Sequence, residues 1–327
     1  MGGGWRAGPA RGRAARPTRP LPPAAQAVVA WSLAAAFSGA PLPLVAEEDA
    51  ATLRTPAGAG MAARVAALVN HAIGAASPGS PPLSVAAVLD LIDTGDSPGG
   101  AAGMHWVLDP IDGTRGFVGG RQYAVCLGLL DGGALAAGVL GCPNLPATPL
   151  TDADGGPGEG AGVPGMLFWA TAGGGARAAP LAPVDALAGA SPITARSGDP
   201  ARRRFMESYE ARHSDFSLAA RLASAVGVTA PALRLDSQAK YGALARGDAA
   251  VNLRFPKAGY REKIWDHAAG AIIAAEAGAV VTDAAGAPLD FSRGRWLDLD
   301  RGIVSASSPE LHAALLAALA PGGACAE

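Results

Sequence analysis

The six residues Asp109-Pro110-Ile111-Asp112-Gly113-Thr114 constrain the fold of this chain more than any other stretch. They follow Trp106-Val107-Leu108, an apolar run that predicts a short buried strand ending at Asp109. Pro110 stiffens the backbone between two carboxylates. Gly113 and Thr114 could then open a helix whose free N–H groups face an anion. Hard oxygen ligands beside a phosphate cradle suit metal-assisted phosphoryl chemistry, although the motif alone also fits a type I turn with an Asx cap.

Three further segments carry acids at predicted strand ends or helix starts. Glu47-Glu48-Asp49 follows the apolar Leu44-Val45-Ala46 and could bridge two ions, or could form a solvated turn. Asp266 opens a predicted helix, where the dipole favours an acid even without a metal. Asp236 could be a strand-end ligand, with Ser237 and Lys240 after it holding a second anionic group, or the segment could be a plain N-cap.

Composition and charge argue against nucleic-acid binding and predict free thiols. The chain has 327 residues, enough for one large domain or two ordinary ones. With 26 basic and 28 acidic residues and no basic face, it has no surface suited to nucleic acid. The cysteines are three in number and lack metal-binding spacing, which predicts free thiols: Cys126, Cys142 and Cys325.

The N-terminal segment differs from the rest. Residues 1–46 contain no acid, and five arginines lie in the first twenty positions. We predict that residues 1–23 are disordered or targeting-like, which favours a chloroplast or mitochondrial location over the cytoplasm. The uncharged run from Pro20 to Ala46 is interrupted by prolines, and its middle is too short to span a bilayer, so no stable membrane insertion is expected. An alanine-rich helix is predicted for 24–37.

The remaining pattern alternates helices and strands, which favours a layered α/β arrangement. Helices are predicted at 60–74, 83–92, 216–226, 237–245, 264–277 and 309–319. Strands are predicted at 106–108, 123–130, 134–140, 167–171, 232–235, 249–255, 279–282 and 302–306. The turn Asp131-Gly132-Gly133 predicts a hairpin.

At this point the residues resemble a known family. Trp106 to Thr114, and Trp265-Asp266-His267-Ala268-Ala269-Gly270, are similar to the two signatures of the inositol monophosphatase superfamily. Further segments narrow the resemblance to the 3′(2′),5′-bisphosphate nucleotidases: Gln122-Tyr123-Ala124, Cys142-Pro143-Asn144-Leu145-Pro146, His213-Ser214, Asp236-Ser237-Gln238-Ala239-Lys240-Tyr241 and Glu262-Lys263-Ile264-Trp265-Asp266.

The resemblance implies a Mg²⁺-dependent, lithium-sensitive phosphatase of sulfur assimilation that uses two or three ions. It would remove the 3′-phosphate of adenosine 3′,5′-bisphosphate to give AMP, and could act on 3′-phosphoadenylyl sulfate to give adenylyl sulfate. An inositol (poly)phosphate 1-phosphatase of the same fold is the alternative. The implied fold is the layered α/β/α/β/α sugar-phosphatase sandwich, with a small-molecule nucleotide as the partner of a monomer.

Residue roles carry over by position. The resemblance makes Glu47, Asp109, Asp112 and Asp266 side-chain metal ligands, joined by the Ile111 carbonyl. It implies phosphate binding by Gly113 and Thr114, and catalytic roles for Thr114, Asp112 and Glu48. It implies nucleotide contacts by His213, Asp236, Ser237, Lys240 and Arg254. We therefore expect an N-terminal α+β domain at 24–181 with most metal ligands, and a C-terminal α/β domain at 182–327 with the nucleotide contacts and the last ligand.

One departure from the family pattern concerns the start of the first helix. In the family, an Asp just before this helix pairs with the Thr of the Asp-Gly-Thr motif to activate water. The aligned residues here are Pro22 and Pro23, and the family's first helix and strand have no counterpart. Pro22 cannot act as a base. Two explanations are expected. Either the sequence comes from a truncated or misannotated gene, or the protein is a catalytically impaired homologue that still binds the nucleotide.

Overall fold

A seven-stranded sheet forms the first half of the protein. The structure is a computed structural model that describes residues 20–38, 42–151, 165–181, 189–209, 216–257, 259–299 and 301–325. The strands of this sheet lie in chain order, with β1 parallel to β2 and the others antiparallel. Their bounds are β1 Leu44–Ala46, β2 Met104–Asp112, β3 Ala124–Asp131, β4 Ala134–Cys142, β5 Met166–Thr171, β6 Gly175–Pro180 and β7 Ser191–Pro192.

A five-stranded sheet forms the second half, in the order β12-β14-β10-β8-β9. Its strands are β8 Phe205–Glu207, β9 Leu233–Arg234, β10 Val251–Arg254, β12 Val280–Asp283 and β14 Ile303–Ala306. A separate antiparallel pair consists of β11 Glu262–Lys263 and β13 Trp296–Leu297.

Eight α-helices are described in these ranges. They are α1 Leu21–Ala36, α2 Ala59–Ala76, α3 Val85–Asp93, α4 Thr114–Val118, α5 Phe216–Ala225, α6 Ala239–Ala245, α7 Ala268–Glu276 and α8 Pro309–Leu319. Ser84 and Ser308 cap α3 and α8 by accepting a hydrogen bond from a backbone N–H in the first turn.

The elements stack in five layers. Helix α1 packs on one face of the seven-stranded sheet with α2 and α3 packed against it, and α6 and α7 lie between the two sheets. Helices α5 and α8 cover the outer face of the second sheet. This arrangement confirms the predicted α/β/α/β/α sandwich.

Small residues let the middle layer sit close to the first sheet. Gly128 and Gly138 are opposite each other on β3 and β4. A Cβ at Gly138 would lie 2.6 Å from the carbonyl oxygen of Ala269 on α7. The Ala-Ala-Gly start of α7 and these glycines therefore bring the helix onto the sheet at short range, which places the residues that precede α7 beside the end of β2.

The structure confirms some of the predicted secondary-structure elements and corrects the bounds of others. The hairpin is confirmed, because Gly132 and Gly133 both have left-handed backbone angles (φ 58° and 82°) that a two-residue turn requires. The strand predicted at 106–108 runs from 104 to 112, and the helix predicted at 264–277 is a 3₁₀ turn at 264–266 followed by α7. The three cysteines are free, as predicted, and all three are buried.

Other expectations stay predictions. Residues 1–19 lie outside the described residues, and helix α1 begins at Leu21. Within the described part of the chain, no helix is both long enough and apolar enough to cross a bilayer. The domain boundary at 182, the monomeric state and the compartment likewise stay predictions.

Candidate active site

A β-bulge at the end of β2 aims two acids the same way. Asp109 pairs with Cys126 and Asp112 pairs with Ala124, so three steps on β2 oppose two on β3. In a regular strand, side chains three residues apart point to opposite faces of the sheet. The extra residue of the bulge reverses this, so that the side chains of Asp109 and Asp112 point to the same face. Pro110 suits the bulge, since it has no N–H to give to the ladder. The Asp-Pro-x-Asp spacing thus places both carboxylates toward one cavity.

Three carboxylates converge at this point. Asp109, Asp112 and Asp266 each offer an oxygen, and these oxygens lie within 4.8 Å of one another. Asp266 reaches them from the 3₁₀ turn just before α7. The carboxyl of Glu47, directly after β1, makes a side-chain hydrogen bond with Asp109. Four acids from three distant segments therefore share one corner of the cavity.

The acids repel one another strongly. Burial, with the charges of Asp112, Glu47 and Asp266, raises the pKa of Asp109 well above its usual range. Burial and Asp112 raise the pKa of Asp266 to about 7. Glu47 is open to solvent on one side, but the protein around its carboxyl desolvates it and, with the charge of Glu48, raises its pKa to about 7. Such a cluster is stable in its ionised form only with a cation among the carboxylates.

The donor set fits a hard divalent cation. Every donor atom is an oxygen, and His267 beside the cluster has both ring nitrogens engaged elsewhere. Its Nδ1 lies 3.1 Å from the Tyr241 hydroxyl, and its Nε2 lies 3.1 Å from Glu262 Oε2. Carboxylates without nitrogen or sulfur suit Mg²⁺ or a similar ion. His267 is therefore a structural histidine.

The Asp-Gly-Thr turn lies directly against the Asp236-Ser237 loop. Gly113 is left-handed (φ 79°), and a Cβ there would lie 2.7 Å from Cβ of Ser237. Ser237 is itself left-handed (φ 67°), the one such non-glycine residue among those described. Strain of this kind costs about 1–3 kcal/mol and is typical of functional sites. The hydroxyl of Thr114, at the start of α4, donates to the Ile111 carbonyl at 3.4 Å.

Gln238 connects the three motifs of the site. Its backbone N–H donates to the Asp112 carboxylate. Its side-chain Nε2 donates to the Trp265 carbonyl at 2.7 Å, and its Oε1 accepts from the Gly270 N–H at 3.0 Å. The side chain is buried, so these bonds are shielded from water. Gln238 therefore fixes the start of α6 against both the end of β2 and the start of α7.

Two cations line the same cavity as the acids. Lys240 donates to the Ser208 hydroxyl at 2.9 Å, and burial together with the nearby Arg254 lowers its pKa to about 8. Arg254 donates to both oxygens of Glu262, at 2.7 and 3.3 Å. Burial alone would raise the pKa of Glu262, but His267 and Arg254 lower it to about 2. The two cations repel each other, and a bound anion would relieve that repulsion.

Most of the candidate residues line one cavity of about 320 Å³. Those predicted from the sequence and found on its wall are Glu47, Asp109, Ile111, Asp112, Gly113, Thr114, Asp236, Ser237, Lys240, Arg254 and Asp266.

Four residues singled out in the sequence need separate comment. Glu48 is half-buried and is not among the residues that line the cavity wall. The Asp236 carboxylate accepts hydrogen bonds from Arg121 Nε at 3.0 Å and from the Tyr209 N–H at 3.2 Å. These contacts favour a structural role for Asp236 over a role as a ligand. His213 lies outside the described residues. Pro22 occupies the first turn of α1, where a missing N–H leaves no hydrogen bond unmade, and its effect on catalysis stays a prediction.

Several residues on the cavity wall were given no individual ligand or catalytic role from the sequence. They are Arg115, Gly116, Ser208, Gln238, Tyr241, Asn252, Tyr260 and His267. Gln238 and Tyr241 lie inside a recognised motif, so their positions carried a signal. Ser208 and Asn252 lie near β8 and on β10 without any local pattern, and only the tertiary fold brings them to the cavity.

Comparisons with known proteins show the family of the chain. Residues 62–322 match the inositol monophosphatase family. The 3′(2′),5′-bisphosphate nucleotidase 1 of Arabidopsis thaliana is 47% identical over 254 residues, covering 77% of this chain and 71% of that protein. The 3′(2′),5′-bisphosphate nucleotidase of Oryza sativa is 50% identical over 237 residues, covering 72% of this chain and 64% of that protein.

Among solved structures, Mycobacterium tuberculosis SuhB superposes with a TM-score of 0.43 and 25% identity, over 90% of this chain and 92% of that one. The family match covers most of the chain, and the two nucleotidases are 47% and 50% identical to it over the aligned residues. The chain belongs to the inositol monophosphatase family.

Proposed function

We propose that this protein is a Mg²⁺-dependent phosphatase that hydrolyses the 3′-phosphate of adenosine 3′,5′-bisphosphate to give AMP and phosphate. 3′-Phosphoadenylyl sulfate is a second candidate substrate. The relatives named above support the substrate class, and they are longer than this chain, which spans 64% of the rice protein.

One observation carries the proposal: a cluster of acids and two cations line the same cavity. Asp109, Asp112 and Asp266 form the acidic cluster. Lys240 and Arg254 lie close enough to lower the pKa of Asp112 against the larger effect of its burial. A substrate with two anionic groups matches this pairing of charges. One phosphate would lie at the metal cluster and the other at the cations, whereas an inositol monophosphate would bring no second anion to Lys240 and Arg254.

The residues of the acidic cluster would hold the ions. Glu47, Asp109, Asp112 and Asp266 would bind through carboxylates and Ile111 through its carbonyl. When bound, Mg²⁺ acidifies water and stabilises negative charge on the phosphoryl group and the leaving oxygen. We assign two or three ions, since four carboxylates exceed what one doubly charged ion neutralises.

The remaining residues would orient the reactants. The Thr114 hydroxyl would hold the attacking water in line with the phosphorus, and the N–H groups that begin at Gly113 would bind phosphoryl oxygens. Ser237, Lys240 and Arg254 would bind the ribose and the 5′-phosphate. Pro22 offers no base, so a loss of about 10²–10⁴-fold relative to an enzyme with that acid is expected.

Phosphate release from a panel of substrates tests the proposal. Adenosine 3′,5′-bisphosphate, adenosine 3′-monophosphate, inositol 1-phosphate and inositol 1,4-bisphosphate are compared at saturating Mg²⁺. We expect the highest kcat/KM for adenosine 3′,5′-bisphosphate. Preference for an inositol phosphate would replace the proposal with the inositol phosphatase alternative. Tight AMP binding without turnover of any substrate would show an impaired homologue.

A further inference from the structure

Glu47 is a metal-binding candidate with little structure of its own to hold it. It follows β1, a strand of three residues, and its side chain is open to solvent. Asp109 and Asp112, by contrast, lie inside the nine-residue strand β2. A ligand must be held within a fraction of an ångström of its productive position, so contacts outside β1 must fix the backbone at Glu47.

On the C-terminal side of Glu47, a buried glutamine from α1 holds the chain. Gln26 is fully buried, with 0% of its surface exposed. Its Nε2 donates to the Glu48 carbonyl at 2.7 Å, and its Oε1 accepts from the Glu48 N–H at 3.0 Å. The same Nε2 also donates to the Ile92 carbonyl at 2.7 Å. One amide therefore satisfies both backbone groups of the residue after Glu47 and ties them to α3.

The space around this amide is closed. A Cβ at Gly95 would lie 2.6 Å from Gln26 Nε2 and 2.8 Å from Cβ of Ala46. Two residues beyond Glu48, the Ala50 N–H donates to Asp93 Oδ1 at 2.8 Å. The segment that follows Glu47 is thus held to α3 at two points, through Gln26 to Ile92 and directly to Asp93.

On the N-terminal side of Glu47, an arginine from the far end of the chain holds the preceding residue. Arg295 Nη2 donates to the Ala46 carbonyl. Its Nη1 donates to the Gly95 and Ser97 carbonyls, at 2.9 and 3.0 Å. The guanidinium also lies over the Trp265 ring, 4.8 Å from its centroid, and Trp265 immediately precedes Asp266. Arg295 therefore touches the neighbours of two acids of the cluster.

We propose that Gln26 and Arg295 are positioning residues that hold Glu47 in its metal-binding place by fixing the residues before and after it. The inference rests on the metal role given to Glu47 under the proposed function. Neither side chain is on the cavity wall, so both act through the backbone of Ala46 and Glu48, the residues on either side of Glu47. Partners that orient metal ligands typically contribute about 10–100-fold in metal affinity.

Mg²⁺ binding to the full chain, measured by calorimetry with the metal alone, tests this role. The variants are Gln26→Met and Arg295→Met, with Arg295→Lys as the conservative change. Asn70→Leu is the control for Gln26, because Asn70 makes the same two-point bond to the Leu83 backbone (2.9 and 2.7 Å) away from the site. Arg261→Met is the control for Arg295, because Arg261 also stacks on a tryptophan, Trp296, at 4.6 Å.

We expect the Mg²⁺ dissociation constant to rise about 10- to 100-fold in Gln26→Met and Arg295→Met, and less in Arg295→Lys. The two controls should keep the wild-type constant even where they lower Tm. Unchanged constants in the test variants, or equal rises in the controls, would overturn the inference. If a methionine variant does not fold, Arg295→Lys decides the outcome by the same criterion.

The readout is independent of the substrate assignment. A wild-type chain that binds Mg²⁺ but hydrolyses no adenosine bisphosphate would refute the proposed function and leave the positioning role testable. A wild-type chain that binds no Mg²⁺ would refute the positioning role.

Discussion

Gly270 is the residue at which the contact between α6 and α7 can be tested most sharply. A Cβ at this position would lie 2.3 Å from Cδ2 and 2.5 Å from Cγ of Tyr241. Carbon atoms in contact prefer about 3.5–4.0 Å, so the clash exceeds about 1 Å. Tyr241 is buried and its hydroxyl contacts His267, so a shift of the ring would disturb that contact.

The size of the effect follows from two opposing contributions. Overpacking of a core costs about 1–3 kcal/mol, and a clash this severe belongs near the upper end. Alanine in place of glycine in a helix returns about 1 kcal/mol. Gly270→Ala should therefore lower the free energy of unfolding by about 2 kcal/mol.

The matched control is Gly74→Ala. Gly74 is an exposed helical residue of α2, and nothing lies within 4 Å of the added Cβ. This variant should gain about 0.5–1 kcal/mol from helix propensity alone. Urea unfolding followed by tryptophan fluorescence measures both variants, with the slope m unchanged. A Gly270→Ala protein as stable as wild type would refute the close packing of α7 on Tyr241.

Further predictions concern the charges of the site. Asp112→Asn should abolish turnover at saturating Mg²⁺ while metal-free stability is kept or raised, because one repelling charge is removed; retained turnover would exclude its metal role. In the folded chain the pKa of both Glu47 and Asp266 is raised to about 7, from the ordinary 4.5 and 3.8. Between about pH 4.5 and pH 7 the folded state therefore holds protons that the unfolded state has released. Metal-free Tm should therefore fall as pH rises from about 4.5 through 7, and saturating Mg²⁺ should flatten that fall; a metal-free Tm that rises over this interval would contradict the clustering of these acids. Lys240→Met should raise KM for adenosine 3′,5′-bisphosphate about 10- to 100-fold, because one or two hydrogen bonds to a charged group are lost. KM for adenosine 3′-monophosphate should stay unchanged. Equal effects on both substrates would place Lys240 away from the 5′-phosphate, and Lys257→Met, a change at an exposed lysine, is the control.

The sequence predicted those elements that carry a local signal. Helix α8 was predicted with its observed bounds, because Ser308, Pro309 and an apolar face mark its start and course. Strand β6 was missed, since Gly175–Pro180 contains alanine, glycine and proline and no β-branched residue. The bulge that extends β2 to Asp112 was also missed, because it depends on pairing with β3.

The site was predictable as a set of acids but not as a geometry. Asp109, Asp112 and Asp266 lie in motifs that mark them locally. The bonds of Gln238 to Trp265 and of Arg295 to Ala46 join residues far apart in sequence, and no periodicity or spacing announces them. Asp236 shows the opposite case, since its motif suggested a ligand and its carboxylate is held by Arg121.

The convergence of Glu47, Asp109, Asp112 and Asp266 on divalent cations is the central claim, and anomalous diffraction from crystals grown with Mn²⁺ tests it most directly. We predict manganese peaks within coordination distance of these four carboxylates, in the cavity that Lys240 and Arg254 also line. Peaks elsewhere on the protein, or none at this corner with Mn²⁺ in excess, would contradict the account.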